Sequence, residues 1–189
     1  MNKPTNYDET PVLGDYTPIS LGGHKLVIKQ VDEITASNGN QYIKVSFDTA
    51  NDDVQPNYYM NAYRSDTREK KKWSGVTTVF PTDKDGKTSK SFKTFCTAVE
   101  HSNNGFKMVW GDQFCNSLKN KVFGGVFGEE EYKANDGSIK TARKLFWFRG
   151  IDNVMDAEVP KKRTVDAQPE NNNDWMNIPD GIDEETPFN

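Results

Sequence analysis

The sequence contains few of the residues that hold metal ions or cross-link chain segments. Among its 189 residues are two cysteines and two histidines. Cys96 and Cys115 form no C-x-x-C pair, and His24 and His101 lie far from each other and from any acidic cluster. Zinc sites need several ligands at short spacings. We therefore expect no metal and no cofactor, and we favour free thiols over a disulfide, which the sequence leaves open.

Long apolar segments are also missing. The longest unbroken apolar run, Leu145–Phe148, is far shorter than the ~20 residues of a membrane-spanning helix. Residues 1–18 are polar and contain three prolines, unlike a secretory signal. We therefore expect a soluble protein of the cytoplasm without a membrane partner. The length of the chain favours one core with flanking segments.

Charge is distributed unevenly along the chain. Residues 1–20 carry a net charge of -2, residues 21–155 carry 20 Lys and Arg against 16 Asp and Glu, and residues 156–189 carry a net charge of -6. Opposite charges on separate segments often serve separate partners. The alternative is that the acidic segment only makes the protein more soluble.

Apolar residues recur at two spacings, which predict strands and one helix. Ile43, Val45 and Phe47 alternate with polar residues, as in a half-buried strand. From Phe92 to Val99 the apolar residues fall at i, i+3, i+4 and i+7, the stripe of an amphipathic helix in which Cys96 is a core residue. The predicted elements are strands at 24–34, 41–48 and 57–64, a helix at 89–101, and strands at 121–132 and 139–149. Between them, residues 65–90 form a long excursion with room for a short strand at Val76–Phe80.

Five strands with a helix between the third and the fourth match the oligonucleotide/oligosaccharide-binding (OB) fold, although other small α+β folds share this order. We therefore expect a mainly β protein with a five-stranded OB-fold barrel over residues 22–155. Residues 1–21 are expected to form an extended lead-in. Residues 156–189 lose apolar periodicity and are expected to form a disordered acidic tail.

Aromatic and basic residues occur together at several places in the predicted barrel. Aromatic rings stack on the bases of single strands, and Lys or Arg side chains neutralise phosphates. The residues that we expect to bind single-stranded DNA are Tyr42 and Lys44 on the second strand, Tyr59, Tyr63 and Arg64 on the third, Lys70, Lys71, Lys72 and Trp73 in the excursion, and Arg143, Trp147 and Arg149 on the fifth.

The expected orientation of these side chains follows from strand periodicity, and each has a structural alternative. Tyrosine and tryptophan on strands often pack in the barrel wall. Arg143, Trp147 and Arg149 share one face by strict alternation, with Lys140 and Lys144 on the other. Whether Trp147 faces the core stays open, because Leu145 lies on its side. Trp73 follows three lysines in a charged loop, so we expect it to be exposed.

No enzyme signature is present in the sequence. It contains no P-loop, no G-x-S-x-G and no H-E-x-x-H motif. Three consecutive acids, Glu129–Glu131, could hold a metal only in part, because neighbouring strand residues point to alternate faces. A solvated edge or turn is the favoured role for them. We expect a protein that is not an enzyme.

The last ten residues, Asp180–Asn189, combine clustered carboxylates with an apolar ending. This segment resembles the acidic tip of replicative single-stranded DNA-binding proteins. Together with the segments Val126–Tyr132 and Trp73–Val76, it makes the chain resemble the single-stranded DNA-binding proteins of bacteriophages and prophages. The resemblance is loose over the barrel and more specific over the tail.

The resemblance implies that the tip docks on replication and recombination proteins. Phe188 would be the ring that enters an apolar pocket, Ile182 and Pro187 the supporting apolar contacts, and Asp183, Glu184 and Glu185 the group that steers the partner electrostatically. In that family the phenylalanine usually carries the free α-carboxylate, whereas Asn189 follows it here. A partner that clamps this carboxylate would bind the tail less well or in a shifted pose.

The combined expectation is a protein that coats single-stranded DNA, without strong sequence preference, in DNA replication, recombination and repair. If it is phage-encoded, it acts in the cytoplasm of the host cell. The alternative is a protein-interaction module whose barrel binds a host protein rather than nucleic acid. The sequence leaves open a homo-oligomeric state, the site size and the preference for DNA over RNA.

Overall fold

The computed structural model describes residues 2–5, 7 and 17–165. Its elements are β1 (Gly22–Thr35), β2 (Gln41–Thr49), α1 (Tyr58–Ser65), β3 (Val76–Val79), α2 (Lys90–Ser102), α3 (Phe114–Leu118), β4 (Val122–Lys133), β5 (Ile139–Arg149) and a 3-10 turn (Val154–Asp156). The expectation of a mainly β protein with a helix between the third and fourth strands is confirmed. None of the helices in these residues is long and apolar enough to cross a membrane.

The five strands form one antiparallel sheet in the order β3-β2-β1-β4-β5. The long strand β1 lies in the centre and pairs with both β2 and β4. Tight turns close the two hairpins, with Gly39 and Gly137 at φ values of 83° and 81°, where a side chain would be strained. The edges of the sheet are β3 and β5.

The core lies on one face of this sheet, and α2 packs against it. Rings from β2 and β4 meet there, with the centroid of Phe47 6.1 Å from that of Phe123. The amphipathic stripe of α2 contributes Phe95, which contacts Phe123 edge-on at 5.7 Å. The helix begins where predicted, because the Ser89 side chain accepts a hydrogen bond from the Phe92 N–H. Burial raises the pKa of Cys96 to about 11, as expected of an inert core thiol.

The predicted third strand at 57–64 is wrong, because Tyr58–Ser65 is the helix α1. Two features mark the start of the helix: Asn57 adopts a left-handed conformation (φ 52°), and the Asp48 carboxylate on β2 accepts a hydrogen bond from the Tyr59 N–H at 2.9 Å. The third strand is instead Val76–Val79, in the excursion, and it pairs with residues 43–46 of β2.

Asp48 is a buried carboxylate with only one of its oxygens satisfied. Its Oδ1 accepts hydrogen bonds from the N–H groups of Thr49 and Tyr59, whereas Oδ2 finds no partner within the described residues. Burial raises the pKa of Asp48 above its usual range and outweighs these hydrogen bonds. The charged form is therefore the destabilised one, and its cost appears as the pH rises through the folded-state pKa.

We expect Asp48→Asn to increase the free energy of unfolding at neutral pH by about 1 kcal/mol. The amide keeps the Oδ1 acceptor for α1 and puts an uncharged NH2 group in place of the unpaired charged oxygen, and a neutral polar group costs less to bury than a charge. Urea unfolding at pH 7 and pH 4 measures the effect, and the gain should shrink at the lower pH. A loss of stability at pH 7 would contradict this account of Asp48.

The residues that follow β5 pass over β1 and β4, and Arg163 then forms a β-bridge with Glu130 of β4. Gly23 and Gly124 make room for them, since a Cβ on Gly23 would lie 1.6 Å from the carbonyl oxygen of Val154. Farther on, the Arg163 N–H donates to the Glu129 carbonyl, and the Arg163 carbonyl accepts from Glu131. The first part of the expected tail is therefore ordered against the sheet: Ala157 and Val159 lie near Gly22 of β1, and Arg163 lies against β4. The rest of the acidic tail, residues 166–189, is outside the described residues.

A buried chain of hydrogen bonds ties the lead-in to the sheet. His24 Nδ1 lies 2.8 Å from Asp53 Oδ1, and His24 Nε2 lies 3.0 Å from Ser20 Oγ. Asp53 also accepts hydrogen bonds from the N–H groups of Lys25 and Gln55. The order Ser-His-Asp is that of a hydrolase relay, but His24 is fully buried and the Ser20 N–H already donates to Gln55 Oε1. We therefore assign this chain to stability.

Candidate nucleic-acid interface

A β-bulge in β5 decides which side chains share a face of the last hairpin. Trp147 pairs with Val126, and the next pair along is Leu145 with Phe127, so Phe146 is an extra residue on β5. An extra residue reverses the inward and outward alternation beyond it. Leu145 consequently faces the core with Phe127, whereas Trp147 faces away from it.

The outward side of the β4–β5 hairpin combines aromatic and cationic side chains. Its members are Tyr132, Lys140, Lys144, Phe146, Trp147 and Arg149, joined by Arg163 from the segment that follows the hairpin. We call this set the outer hairpin face. Strict alternation had separated the two lysines from Trp147 and Arg149, and this expectation is corrected by the bulge.

Two of the rings on the outer hairpin face are well exposed. Trp147 and Tyr132 each have 42% of their surface accessible. The Arg149 guanidinium lies 5.9 Å from the centroid of the Trp147 ring, a cation–π contact that holds a positive charge beside it. A cleft of about 520 Å³ at the tip of the hairpin is lined by residues that include Tyr132, Lys133 and Lys140.

The centre of the outer hairpin face is fixed by ion pairs. Glu130 is buried there, 2.7 Å from Lys144 Nζ and 3.8 Å from Arg163 Nη1. The Arg163 guanidinium lies 4.0 Å from the centroid of the Phe146 ring, which rests on Gly128. Two cations surround one carboxylate, so the cluster keeps a net positive charge.

Arg143 does not belong to this face, contrary to the expectation that it accompanies Trp147. It pairs with Glu129 on the inward side of the bulge. Its guanidinium donates to the Ile19 carbonyl at 2.5 Å and lies 3.7 Å from Glu129 Oε1. Arg143 thus links the lead-in to β4.

The basic segment 64–72 precedes β3 and is exposed except where it rests on α1. Arg64, Lys70 and Lys72 are exposed, and the Lys71 ammonium lies 5.7 Å from the centroid of the Tyr63 ring. Tyr63 is half-buried on α1. This segment therefore offers charge to a polyanion but no freely exposed ring.

The expectation that Trp73 is exposed is wrong, because only 4% of its surface is accessible. Its indole N–H lies 3.2 Å from the Phe47 carbonyl and 3.1 Å from the Gly75 carbonyl, both of which can accept its proton. Tyr63 packs beside it at 5.9 Å. Trp73 anchors the basic segment to the sheet and presents no ring to a ligand in this conformation.

The rings on β2 and α1 that we expected to stack on bases are too buried to do so. Tyr42 points away from the core but is buried, with its ring 5.8 Å from that of Phe80. Tyr59 is buried on α1, edge-on to Phe47 at 5.4 Å. Lys44 is half-buried and pairs in register with Asp32 and Thr78.

Sequence reasoning missed five members of the outer hairpin face: Tyr132, Lys140, Lys144, Phe146 and Arg163. Tyr132 could have been found, because it lies beside the Asp-Gly turn of the hairpin. Phe146 and Arg163 depend on the bulge and on the return of the chain to β4, which no local pattern indicates. Trp110 is the most exposed tryptophan among the described residues, at 64%.

The residues expected to bind partners, Ile182, Asp183, Glu184, Glu185, Pro187 and Phe188, lie outside the described residues. Within the described ranges, no group of three or more His, Cys, Asp and Glu side chains could hold a metal ion. No protein-family model and no curated protein matches this chain.

Proposed function

We propose that this protein binds single-stranded DNA through the outer hairpin face, without strong sequence preference and without catalysis. The observation that carries the proposal is that exposed Trp147 and Tyr132 lie on the same side of the β4–β5 hairpin as the cations Lys140 and Arg149. Rings stack on any base, and cations neutralise phosphates whatever the sequence.

The sheet topology supports assignment of the domain to the OB fold. In that fold a five-stranded, partly open barrel carries a ligand face with contributions from the loop between its last two strands. The strand order β3-β2-β1-β4-β5, with α2 between β3 and β4, is compatible with such a barrel. Residues 134–138 would then be the loop that reaches over the ligand, next to Tyr132 and Lys140.

We further propose the division of labour that the resemblance to phage single-stranded DNA-binding proteins implies. The barrel coats DNA in replication and recombination, and the acidic tip at 180–189 recruits protein partners through Phe188. Arg163 supports a connection between the two, because it lies on the outer hairpin face in the segment that leads from β5 toward the acidic tail. The cytoplasm is the compartment in which such a protein would work.

We expect Trp147→Ala to weaken binding of a poly-pyrimidine oligonucleotide by about tenfold, because one base loses its stacking partner. Trp147→Phe should restore most of the loss. Titration of the full chain with a fluorescently labelled oligonucleotide, followed by anisotropy, measures the affinity.

The matched control is Trp110→Ala, since Trp110 is an exposed tryptophan outside the outer hairpin face. It should bind DNA like the unaltered protein. If Trp147→Ala binds as well as the control does, the outer hairpin face is not where bases stack. If the unaltered protein does not bind the oligonucleotide at low salt, the proposed function itself is wrong, and a protein-interaction module becomes the better account.

A further inference from the structure

An aromatic cleft lies where the end of β1 meets the start of β2, and it shares no lining residue with the outer hairpin face. Its volume is about 650 Å³, within the range of ligand sites in proteins. The ends of the two strands form one wall. The first turn of α2 and the loop that leads into α3 form the other.

The ring of Trp110 stands at this cleft with one side covered. It stacks on Phe114 at a centroid distance of 5.5 Å and an interplanar angle of 10°. Phe92 supports the pair from below, 5.9 Å from Phe114 and 6.2 Å from Trp110. Because Trp110 remains 64% exposed in spite of this stacking, a broad aromatic surface is open to a ligand.

The charges at the cleft are negative. Glu33 from β1 and Asp112 from the loop line it, and no lysine or arginine is among its lining residues. The pKa of the Cys115 thiol is raised, first by burial and then by the negative charges of Glu33 and Asp32, which agrees with a negative potential at the cleft. An anionic ligand would meet uncompensated repulsion in the cleft, and a cation would be attracted.

We propose that this cleft binds an arginine side chain presented by a basic segment of a partner protein. The planar guanidinium stacks on Trp110 and donates hydrogen bonds to the carboxylates of Glu33 and Asp112. Charge complementarity argues for this occupant, as does the pairing of an aromatic face with carboxylates, which is the environment that guanidinium groups prefer. The inference goes beyond DNA binding, because it gives the protein a second surface, of opposite charge, for a different class of partner.

The shape of the cleft supports a peptide in preference to a free cation. Besides Trp110, it is lined by Phe92, Pro81 and Tyr42, which offer apolar surface beyond the group that holds the guanidinium. The residues that flank the arginine can therefore bury apolar surface there. A single strand of DNA fits less well, because its phosphates would approach Glu33 and Asp112.

The test uses the full chain and three blocked peptides of the form Gly-X-Leu-X-Gly, in which X is arginine, lysine or citrulline and the leucine supplies a flanking apolar side chain. Citrulline has the shape of arginine without its charge. Isothermal titration calorimetry should show binding of the arginine peptide at millimolar concentration or below. We expect the lysine peptide to bind more weakly, and the citrulline peptide at least about tenfold more weakly than arginine.

Two variants locate the binding. Trp110→Ala should abolish measurable binding of the arginine peptide, and Asp112→Asn should weaken it, with thermal melts confirming that both fold, as their exposed positions allow. Trp147→Ala should leave it unchanged. Equal binding of the arginine and citrulline peptides, or unchanged binding by Trp110→Ala, would overturn the proposal. So would a loss of DNA affinity in Trp110→Ala as large as in Trp147→Ala, since the cleft would then take nucleic acid.

Discussion

Replacing both Lys140 and Arg149 with alanine is expected to weaken binding of single-stranded DNA by about 100-fold at low salt, because two charge-assisted phosphate contacts contribute about 1.5 kcal/mol each. Both side chains lie on the outward side of the hairpin. Lys140 pairs loosely with Asp136 at 3.7 Å, and Arg149 lies beside the exposed ring of Trp147. Each can therefore turn to a phosphate at little cost.

The dependence of DNA affinity on salt concentration shows whether the double variant has lost individual phosphate contacts. Each phosphate contact with a single strand contributes about 0.7 to the slope of log affinity against log salt, so the double variant should flatten the slope by about 1.4. Binding isotherms at four salt concentrations measure this slope. Added salt should therefore reduce the difference in DNA affinity between the double variant and the unaltered protein.

The matched control removes the same charge elsewhere. Lys90 and Lys93 are exposed on α2, which packs against the core side of the sheet. Lys90→Ala combined with Lys93→Ala changes the net charge equally and should lower affinity by less than about threefold, because only the long-range field changes. Equal losses in the two double variants would mean that the outer hairpin face makes no specific phosphate contacts.

Most of the sheet could be predicted from the sequence, because its strands carry their own pattern. The strand β2 alternates cleanly, its hairpin with β1 turns at an Asn-Gly, and the β4–β5 hairpin turns at an Asp-Gly. The stripe of α2 has a helical spacing and a serine cap. In each of these, local propensity and the tertiary environment favour the same structure.

The third strand was misassigned because its residues fit two periods. Met60 and Ala62 alternate with Tyr59 and Tyr63 as in a strand, yet Tyr59 and Tyr63 also stand four apart on one side of a helix. The Asp48 carboxylate, which lies on β2 and caps the helix, helps to decide between them. A contact between residues eleven positions apart is not visible in a local pattern.

The candidate site was harder to predict than the fold, because exposure depends on non-local partners. Trp73 sits in a charged sequence, but the carbonyls of Phe47 and Gly75 hold its indole inside. Alternation alone does not decide whether the Trp147 side chain faces the core, and the bulge at Phe146 turns it outward. One inserted residue in β5 therefore brings the members of the outer hairpin face to one side of the hairpin. Strict alternation would place them on opposite sides.

Asp53→Asn is expected to lower the free energy of unfolding by about 1–3 kcal/mol, as when a buried hydrogen-bond donor loses its acceptor. Asp53 and His24 are both fully buried, and the carboxylate accepts hydrogen bonds from the Lys25 and Gln55 N–H groups as well. An amide cannot accept at both of its terminal atoms. At least one buried donor then loses its partner, and His24 loses the charge beside it.

The pH dependence of stability follows from the same contacts. Burial alone would raise the pKa of Asp53, but the hydrogen bonds from His24, Gln55 and Lys25 outweigh it and hold the pKa below its usual range. A depressed folded-state pKa gives stability that is present above the unfolded-state value of about 3.9 and is lost as the pH falls through the folded-state pKa. Urea unfolding between pH 7 and pH 2 should show this loss in the unaltered protein and a smaller one in Asp53→Asn.

Asp52→Asn is the matched control, because it makes the same chemical change one residue away. Asp52 lies 2.7 Å from Lys25 Nζ on the surface, and exposed pairs contribute little. Its removal should leave the urea midpoint of unfolding close to that of the unaltered protein. If the two variants were equally stable, the Ser20–His24–Asp53 chain would not be what ties the lead-in to the sheet. If Asp53→Asn is much less stable than Asp52→Asn, the buried Asp53 carboxylate holds the lead-in on the sheet. Through His24 it would fix Ser20, and the neighbouring Ile19 carbonyl could then accept the hydrogen bond from Arg143 on β5.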